Sequence, residues 1–225
     1  MPDRPARVPW EQTTMRPRTT RTADRADGWN RLRTAAVAVI AAVRHPLKVP
    51  DAFAGVQEAT RRHRRAHRCG AYVYGEGSLP ATVAAAVGAL RIVEVGTALG
   101  YTAMAMADAA PLAHVDTVEM DPDHVRLARD QVARHGFGDR VTVRPGTAEE
   151  VLPGLGAGTY DLAFFDGFTP TLEVVAHLHR LLRPGGTLIA GNLILGPAPE
   201  VTRHLGDPAR WRTHSLGESA LCVKR

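Results

Sequence analysis

The stretch VEVGTALGYT, residues 93–102, decides the fold, because an apolar strand runs directly into a glycine-containing turn and then into a helix. In an open α/β sheet, such a strand-to-helix turn is where a ligand binds. Gly96 removes a side chain where backbone must approach a ligand, and it can adopt dihedral angles that other residues avoid. Gly100 permits close helix packing. The G-x-x-x-G spacing differs from the dinucleotide pattern G-x-G-x-x-G, and a tight turn without a ligand is the alternative.

Strands and helices alternate on both sides of this turn. Strands are predicted at 91–95, 114–119, 141–144, 160–165 and 187–193, with helical segments between them. This alternation predicts an α/β fold with a Rossmann-like, doubly wound and mostly parallel sheet. The segments 211–216 and 219–224 predict a C-terminal hairpin that adds an antiparallel strand to the edge of the sheet.

The N-terminal third differs from the rest in charge and pattern. Residues 1–28 lack an apolar period and are predicted to be a disordered basic arm. Residues 29–69 predict helices at 29–43 and 51–67 that form a cap or a dimerisation segment, and residues 70–225 form the main domain. Residues 1–68 carry fifteen basic and six acidic side chains. This charge fits either a nucleic-acid contact or a solvated extension, and the scarcity of aromatic residues disfavours nucleic acid.

Composition also bounds the cellular setting. No apolar run approaches the roughly 20 residues of a membrane helix, and the first residues lack the apolar core of a secretory signal. Cys69 and Cys222 are the only cysteines, and their separation offers neither a disulfide framework nor a zinc-ligand spacing. We therefore expect a cytoplasmic protein with no membrane partner and no metal site.

Polar residues also end the later strands. Glu119 ends the strand at 114–119, where an acid can accept hydrogen bonds from both hydroxyls of a ribose, and Met120 offers an apolar edge. The loop 144–149, RPGTAE, places small residues and backbone donors beside it. Asp166 ends the apolar strand at 160–165, a position that is costly for a carboxylate without a partner. The segment LLRPGGTLIAGN, residues 181–192, contains the fifth strand.

These motifs, in this order and spacing, resemble the catechol/caffeoyl-CoA type of class I S-adenosylmethionine-dependent O-methyltransferase from about Gly70 to the C-terminus. The resemblance implies transfer of a methyl group from S-adenosylmethionine to a small-molecule hydroxyl, with S-adenosylhomocysteine as product. It also implies a homodimer. The cofactor-binding residues that it implies are Tyr72, Val73, Glu94, Gly96, Thr97, Gly100, Thr102, Glu119, Met120, Thr147, Ala148, Glu149 and Asp166.

The sequence departs from this family where metal-dependent members hold a divalent cation. Their fifth strand ends in Ala-Asp-Asn, whereas residues 190–192 read Ala-Gly-Asn. Loss of one carboxylate weakens a magnesium site, because magnesium relies on carboxylate oxygens. Thr169 stands where many members have a lysine base. We therefore predict an enzyme that is not strictly metal-dependent, with Asp166 and Asn192 as catalytic candidates.

Other bases and other functions stay open at this point. The histidines that follow Asp166 are His177, His179, His204 and His214, and the sequence does not bring any of them into the pocket. One alternative is methyl transfer to RNA or protein through the basic arm. Another is a non-catalytic module that binds the cofactor as a partner subunit.

Overall fold

The computed structural model describes residues 50–74 and 77–225. Residues 50–225 form one compact unit. The predicted arm at 1–28 and the predicted helix at 29–43 lie outside the described residues. The helix Ala54–His67, which we grouped with the N-terminal segment, belongs to the compact unit.

Seven strands form a single mixed sheet. They are β1 (Arg91–Val95), β2 (His114–Glu119), β3 (Val141–Pro145), β4 (Tyr160–Phe165), β5 (Leu182–Ala190), β6 (Trp211–Leu216) and β7 (Ser219–Lys224). Their order across the sheet is β3-β2-β1-β4-β5-β7-β6. The first five are parallel, while β7 runs antiparallel to both β5 and β6. The predicted α/β fold with a closing hairpin is therefore confirmed.

Helices cover both faces of this sheet. They are α1 (Ala54–His67), α2 (Ser78–Ala86), α3 (Tyr101–Ala109), α4 (Pro122–Arg134), α5 (Ala148–Val151), α6 (Leu172–Leu181) and α7 (Pro199–Gly206). Successive strand residues point to opposite faces, so Ile92 packs in the core with α3 and α4, while Val93 packs in the core with α6 and α7. In the described part of the chain, no helix has the length and apolar character needed to cross a membrane.

Two local expectations were wrong. We expected the fifth strand at residues 187–193, but β5 runs from Leu182, which pairs with Tyr160, to Ala190. A register shift between Tyr160 and Leu162 accommodates residues 183–186, because Tyr160 pairs with Leu182 and Leu162 with Thr187. The pattern also did not predict α7, a helix of eight residues that begins at a proline.

Candidate active site at the carboxyl edge of the sheet

The chain order reverses between β1 and β4, which are neighbours in the sheet. In open α/β sheets the crevice beyond the carboxyl ends at such a reversal binds the ligand. The amide of Asp166 donates to the carbonyl of Val95 (2.8 Å), and the amide of Gly191 donates to that of Phe165 (2.9 Å). The ends of β1, β4 and β5 therefore meet at one edge.

Gly96 forms the closest contact of this edge. Its φ is +93°, and a Cβ at this position would lie 2.7 Å from the carbonyl oxygen of Asp166. Gly100 has a φ of +90°, and a Cβ there would lie 3.6 Å from Val132 of α4. The turn after β1 therefore packs against main chain on one side and against α4 on the other, as the two glycines predicted.

Glu94 is a fully buried carboxylate beneath the turn. It accepts hydrogen bonds from the hydroxyls of Thr102 and Thr117, the latter at 2.5 Å. Burial raises the pKa of Glu94 to about 7, with a further contribution from the charge of Glu119 and against the effect of the two hydroxyls. Because the Thr102 hydroxyl donates to Glu94, Thr102 supports the turn from within the domain.

Glu119 connects β2 to the same turn. Its Oε2 accepts hydrogen bonds from the amides of Thr97 (3.2 Å) and Ala98 (2.8 Å), and its Oε1 accepts one from Asp121 (3.0 Å). Each carboxylate oxygen has two lone pairs. Glu119 therefore orders the turn, and of its four lone pairs one on Oε1 stays free for a sugar hydroxyl.

Asp166 and Asn192 form a pair at the ends of β4 and β5. The Asn192 amide donates to Asp166 Oδ1 (3.3 Å) and to the carbonyl of Gly167 (2.6 Å). Asn192 holds a left-handed conformation, with a φ of +60°. Burial raises the pKa of Asp166 to about 8, with smaller contributions in the same direction from the charges of Glu94 and Glu218. The pair therefore places a proton acceptor with a near-neutral pKa at the crevice.

The loop after β3 lies beside Glu119, since the amide of Gly146 donates to the carbonyl of Glu119 (2.9 Å). Thr147 and Glu150 form a capping box at the start of α5, so the Thr147 hydroxyl is used within the helix. Met120 is 72% exposed and can contact a ligand. The cofactor roles of Ala148 and Glu149, the next residues of this loop, stay predictions.

Tyr72 and Val73 precede the undescribed residues 75–76. The Tyr72 side chain is exposed, and the Arg64 guanidinium carbon lies 3.7 Å from its ring centroid. Val73 packs against the core that contains α3 and α4. The hydrogen-bond network of Glu94, Glu119 and Asp166 does not extend to either residue within the described chain, and their cofactor roles stay predictions.

The half-buried histidines His179 and His204 lie elsewhere. The rings of His179 and His204 pack against Trp211, with centroid distances of 4.7 and 6.4 Å. Lys224 Nζ donates to the carbonyls of His179 and Leu182 (both 2.7 Å), at the amino end of β5. Since Asp166 lies at the carboxyl end, these histidines are not candidate bases.

The charge of this edge is uncompensated. Within the described residues, no lysine or arginine forms an ion pair with Glu94, Glu119 or Asp166. The His124 ring lies beside this cluster, with its Nδ1 3.7 Å from Glu119 Oε1. Carboxylates that raise one another's pKa favour a cationic ligand, because an opposite charge stabilises the ionised form.

The chain is similar to known methyltransferases in sequence. Residues 93–193 match a family model described as a methyltransferase domain. Catechol O-methyltransferase of Mycobacterium tuberculosis is 34% identical over 123 residues, which cover 54% of this chain and 56% of the relative. Catechol O-methyltransferase of Niastella koreensis is 38% identical over 111 residues, covering 47% and 50%. The chain thus spans about half the length of these curated relatives.

Solved structures share the fold of this chain. Cofactor-bound Rv0187 from MTB has a TM-score of 0.68 and 26% identity, and the match covers 83% of this chain and 96% of that one. The Bacillus cereus O-methyltransferase in complex with SAH also has a TM-score of 0.68, at 21% identity, covering 84% and 97%. Residues 93–193 are therefore similar to a methyltransferase domain, and the chain shares the fold of these structures. These matches support the predicted resemblance to class I methyltransferases.

Metal-dependent members of the family that the sequence resembles hold a divalent cation beside Asp166, and the donor atoms at this position decide whether the chain fits one. Gly191 offers no side chain, and a Cβ there would lie 2.8 Å from the carbonyl oxygen of Phe165. Asn192 directs its amide nitrogen, a donor, toward Asp166. A magnesium ion requires several oxygen ligands, and Asp166 alone supplies a carboxylate. The residues present therefore do not fit a divalent-cation site at this position.

We expect Gly96→Ala to destabilise the domain more than Gly88→Ala. Gly88 has a φ of +59°, and a Cβ there would meet no atom within 4 Å. The control therefore carries only the left-handed cost of about 1–2 kcal/mol, whereas Gly96→Ala also displaces the main chain of Asp166. Urea unfolding of the two variants measures this difference, and equal losses of unfolding free energy would contradict the close packing.

We also expect Asp166→Asn to change how stability depends on pH. The pKa of Asp166 is raised to about 8 in the folded state, so the folded protein binds a proton that the unfolded chain releases above about pH 4. This contribution to stability is complete at low pH and is lost as pH rises toward about 8. The variant should gain stability relative to the wild type over that range.

Urea unfolding at a series of pH values checks this prediction. Asp139→Asn, which changes an exposed carboxylate, should follow the wild-type pH curve. A constant difference between wild type and Asp166→Asn from acidic to mildly alkaline pH would show that Asp166 titrates normally.

Proposed function

We propose that this chain is an S-adenosylmethionine-dependent O-methyltransferase that methylates a hydroxyl group of a small molecule and does not require a divalent cation. The uncompensated cluster of Glu94, Glu119 and Asp166 around the Gly96 turn is the observation that carries this proposal. The homodimer and the cytoplasmic location that the sequence suggests stay predictions.

The turn after β1 would hold the cofactor through its backbone. Gly96 brings main chain close to Asp166, and Glu119, which accepts the amides of Thr97, Ala98 and Asp121, keeps one free lone pair on Oε1 for a ribose hydroxyl. When bound, S-adenosylmethionine supplies an electrophilic methyl group on a sulfonium cation. Asp166 would face that cation, and the positive charge would favour the ionised form of its carboxyl.

Asp166 would also receive the proton of the acceptor hydroxyl. Asn192 occupies Asp166 Oδ1, while Oδ2 accepts no hydrogen bond from the described residues and is available to the substrate. A general base works best when its pKa lies near the working pH, and the pKa of Asp166 is raised to about 8. This base takes the place of a metal ion, which would otherwise lower the pKa of the hydroxyl.

Exposed apolar side chains lie in the loops that carry Asp166 and Asn192. Phe168, two residues after Asp166, is 78% exposed, and Ile194, two residues after Asn192, is 72% exposed. Aromatic and aliphatic side chains at a pocket rim bind an apolar or aromatic ligand. We therefore propose a phenolic acceptor rather than a highly charged one.

The proposal is tested by turnover of methyl-labelled cofactor with a panel of phenols and catechols. The intact chain should transfer the methyl group at similar rates in EDTA and in magnesium. Asp166→Asn should lower kcat by about 10²-fold or more, the usual contribution of a general base. The same variant should bind S-adenosylhomocysteine, which lacks the sulfonium charge, with an affinity within a few-fold of wild type.

Glu58→Gln is the matched control, since among the described residues Glu58 pairs with Arg61 and Arg65 on the exposed face of α1. This variant should match the wild type in every assay. Turnover that disappears in EDTA and returns with magnesium would contradict the metal-independent mechanism. Tight cofactor binding without turnover on any acceptor would favour the non-catalytic alternative.

A further inference from the structure

Three side chains that commonly bind metals lie close together, apart from the active-site carboxylates. They come from His63 on α1, Cys69 just after α1 and His124 in the first turn of α4. One donor atom from each lies within 4.8 Å of those of the other two. His124 Nε2 is 3.3 Å from Cys69 Sγ, and the rings of His63 and His124 lie 5.3 Å apart in an edge-to-face arrangement.

We propose that His63, Cys69 and His124 bind a zinc ion. One thiolate and two imidazoles form a donor set that zinc prefers, usually in a tetrahedral arrangement with a fourth ligand. In the described chain, this is the single group of three or more such residues close enough to share an ion.

Asp121 is a candidate for the fourth position. Its Oδ1 caps α4 by accepting the amides of Asp123 (2.9 Å) and His124 (3.3 Å). Its Oδ2 lies 3.9 Å from His124 Nε2, outside the group of three ligand atoms that lie within 4.8 Å of one another. A carboxylate oxygen or a water molecule completes zinc sites of this type, and Asp121 would have to move toward His63 and Cys69 to supply the fourth ligand.

The second nitrogen of His124 supports this assignment. His124 is buried, and its Nδ1 lies 3.7 Å from Glu119 Oε1. Histidines that bind a metal usually direct their other nitrogen to a carboxylate, which fixes the ring and makes it more basic. The ion would therefore fix α1 against α4 directly beside Glu119. Any effect on cofactor affinity through Glu119 rests on the proposed function, but zinc binding does not.

Zinc titration of the full-length, tag-free chain tests the proposal, with a chromophoric chelator as competitor and no cofactor present. We expect one zinc per chain with a dissociation constant below micromolar. Cobalt in place of zinc should give a thiolate-to-metal charge-transfer band. Cys69→Ser should abolish that band and weaken zinc binding by more than the roughly 10- to 100-fold that loss of an outer-shell partner costs. Glu119→Gln should weaken it by about tenfold.

Two control variants match the ligand changes. Cys222→Ala removes the other thiol, which lies buried in the opposite core, and His114→Gln removes an exposed imidazole. Both should keep the zinc stoichiometry and the cobalt band. The proposal is overturned if the wild type binds no stoichiometric zinc, or if Cys69→Ser and His63→Gln bind it as tightly as the wild type. The wild-type cobalt spectrum decides the question even if a His124 variant fails to fold.

Discussion

The close approach of the Gly96 turn to the main chain of Asp166 is the constraint on which the rest of the site depends. It exists because β1 and β4 are parallel neighbours at the point where the order of the sheet reverses. A Cβ at position 96 would lie 2.7 Å from the Asp166 carbonyl oxygen, so no other residue fits there without displacing backbone. Glu94 lies beneath the turn and Glu119 binds its amides. One glycine thus brings three carboxylates to a single edge.

That convergence explains the electrostatics of the site. Burial and mutual repulsion raise the pKa of Glu94 to about 7 and that of Asp166 to about 8. In a metal-dependent relative of the family that the sequence resembles, a cation would balance such charges. In this chain Gly191 and the amide nitrogen of Asn192 stand where such a cation would need oxygen ligands. Instead, the charge is balanced when Asp166 takes up a proton or when the cofactor's sulfonium binds. A general-base mechanism is therefore consistent with Gly191 in place of the family's aspartate.

Much of this could be predicted from the sequence, since periodicity and strand-end polarity are local signals. The bounds of β2, β4 and the closing hairpin match the predicted strands. Gly96, Glu119 and Asp166 were predicted site residues because each stands at the end of a predicted strand. The hydrogen-bond partner of Thr102 could not be predicted from the sequence. Its hydroxyl could bind a ligand or a buried acid, and only the structure shows that it donates to Glu94.

The remaining misses have a common physical cause, which is tertiary context. β5 begins early because Leu182 finds a partner in Tyr160 across an irregular register. The cluster of His63, Cys69 and His124 escapes any spacing rule because α1 and α4 are far apart in sequence and meet only in the fold. Two isolated cysteines predict no zinc site, whereas one cysteine beside two histidines makes one chemically reasonable.

Calorimetric titration of the intact chain with S-adenosylhomocysteine, in magnesium and in EDTA, tests the central claim most directly. If the carboxylates around Gly96 form a cofactor pocket that needs no metal, binding should be micromolar and equal in the two buffers. Absence of binding in both would contradict the methyltransferase assignment of the site, and binding only in magnesium would contradict its independence of a cation.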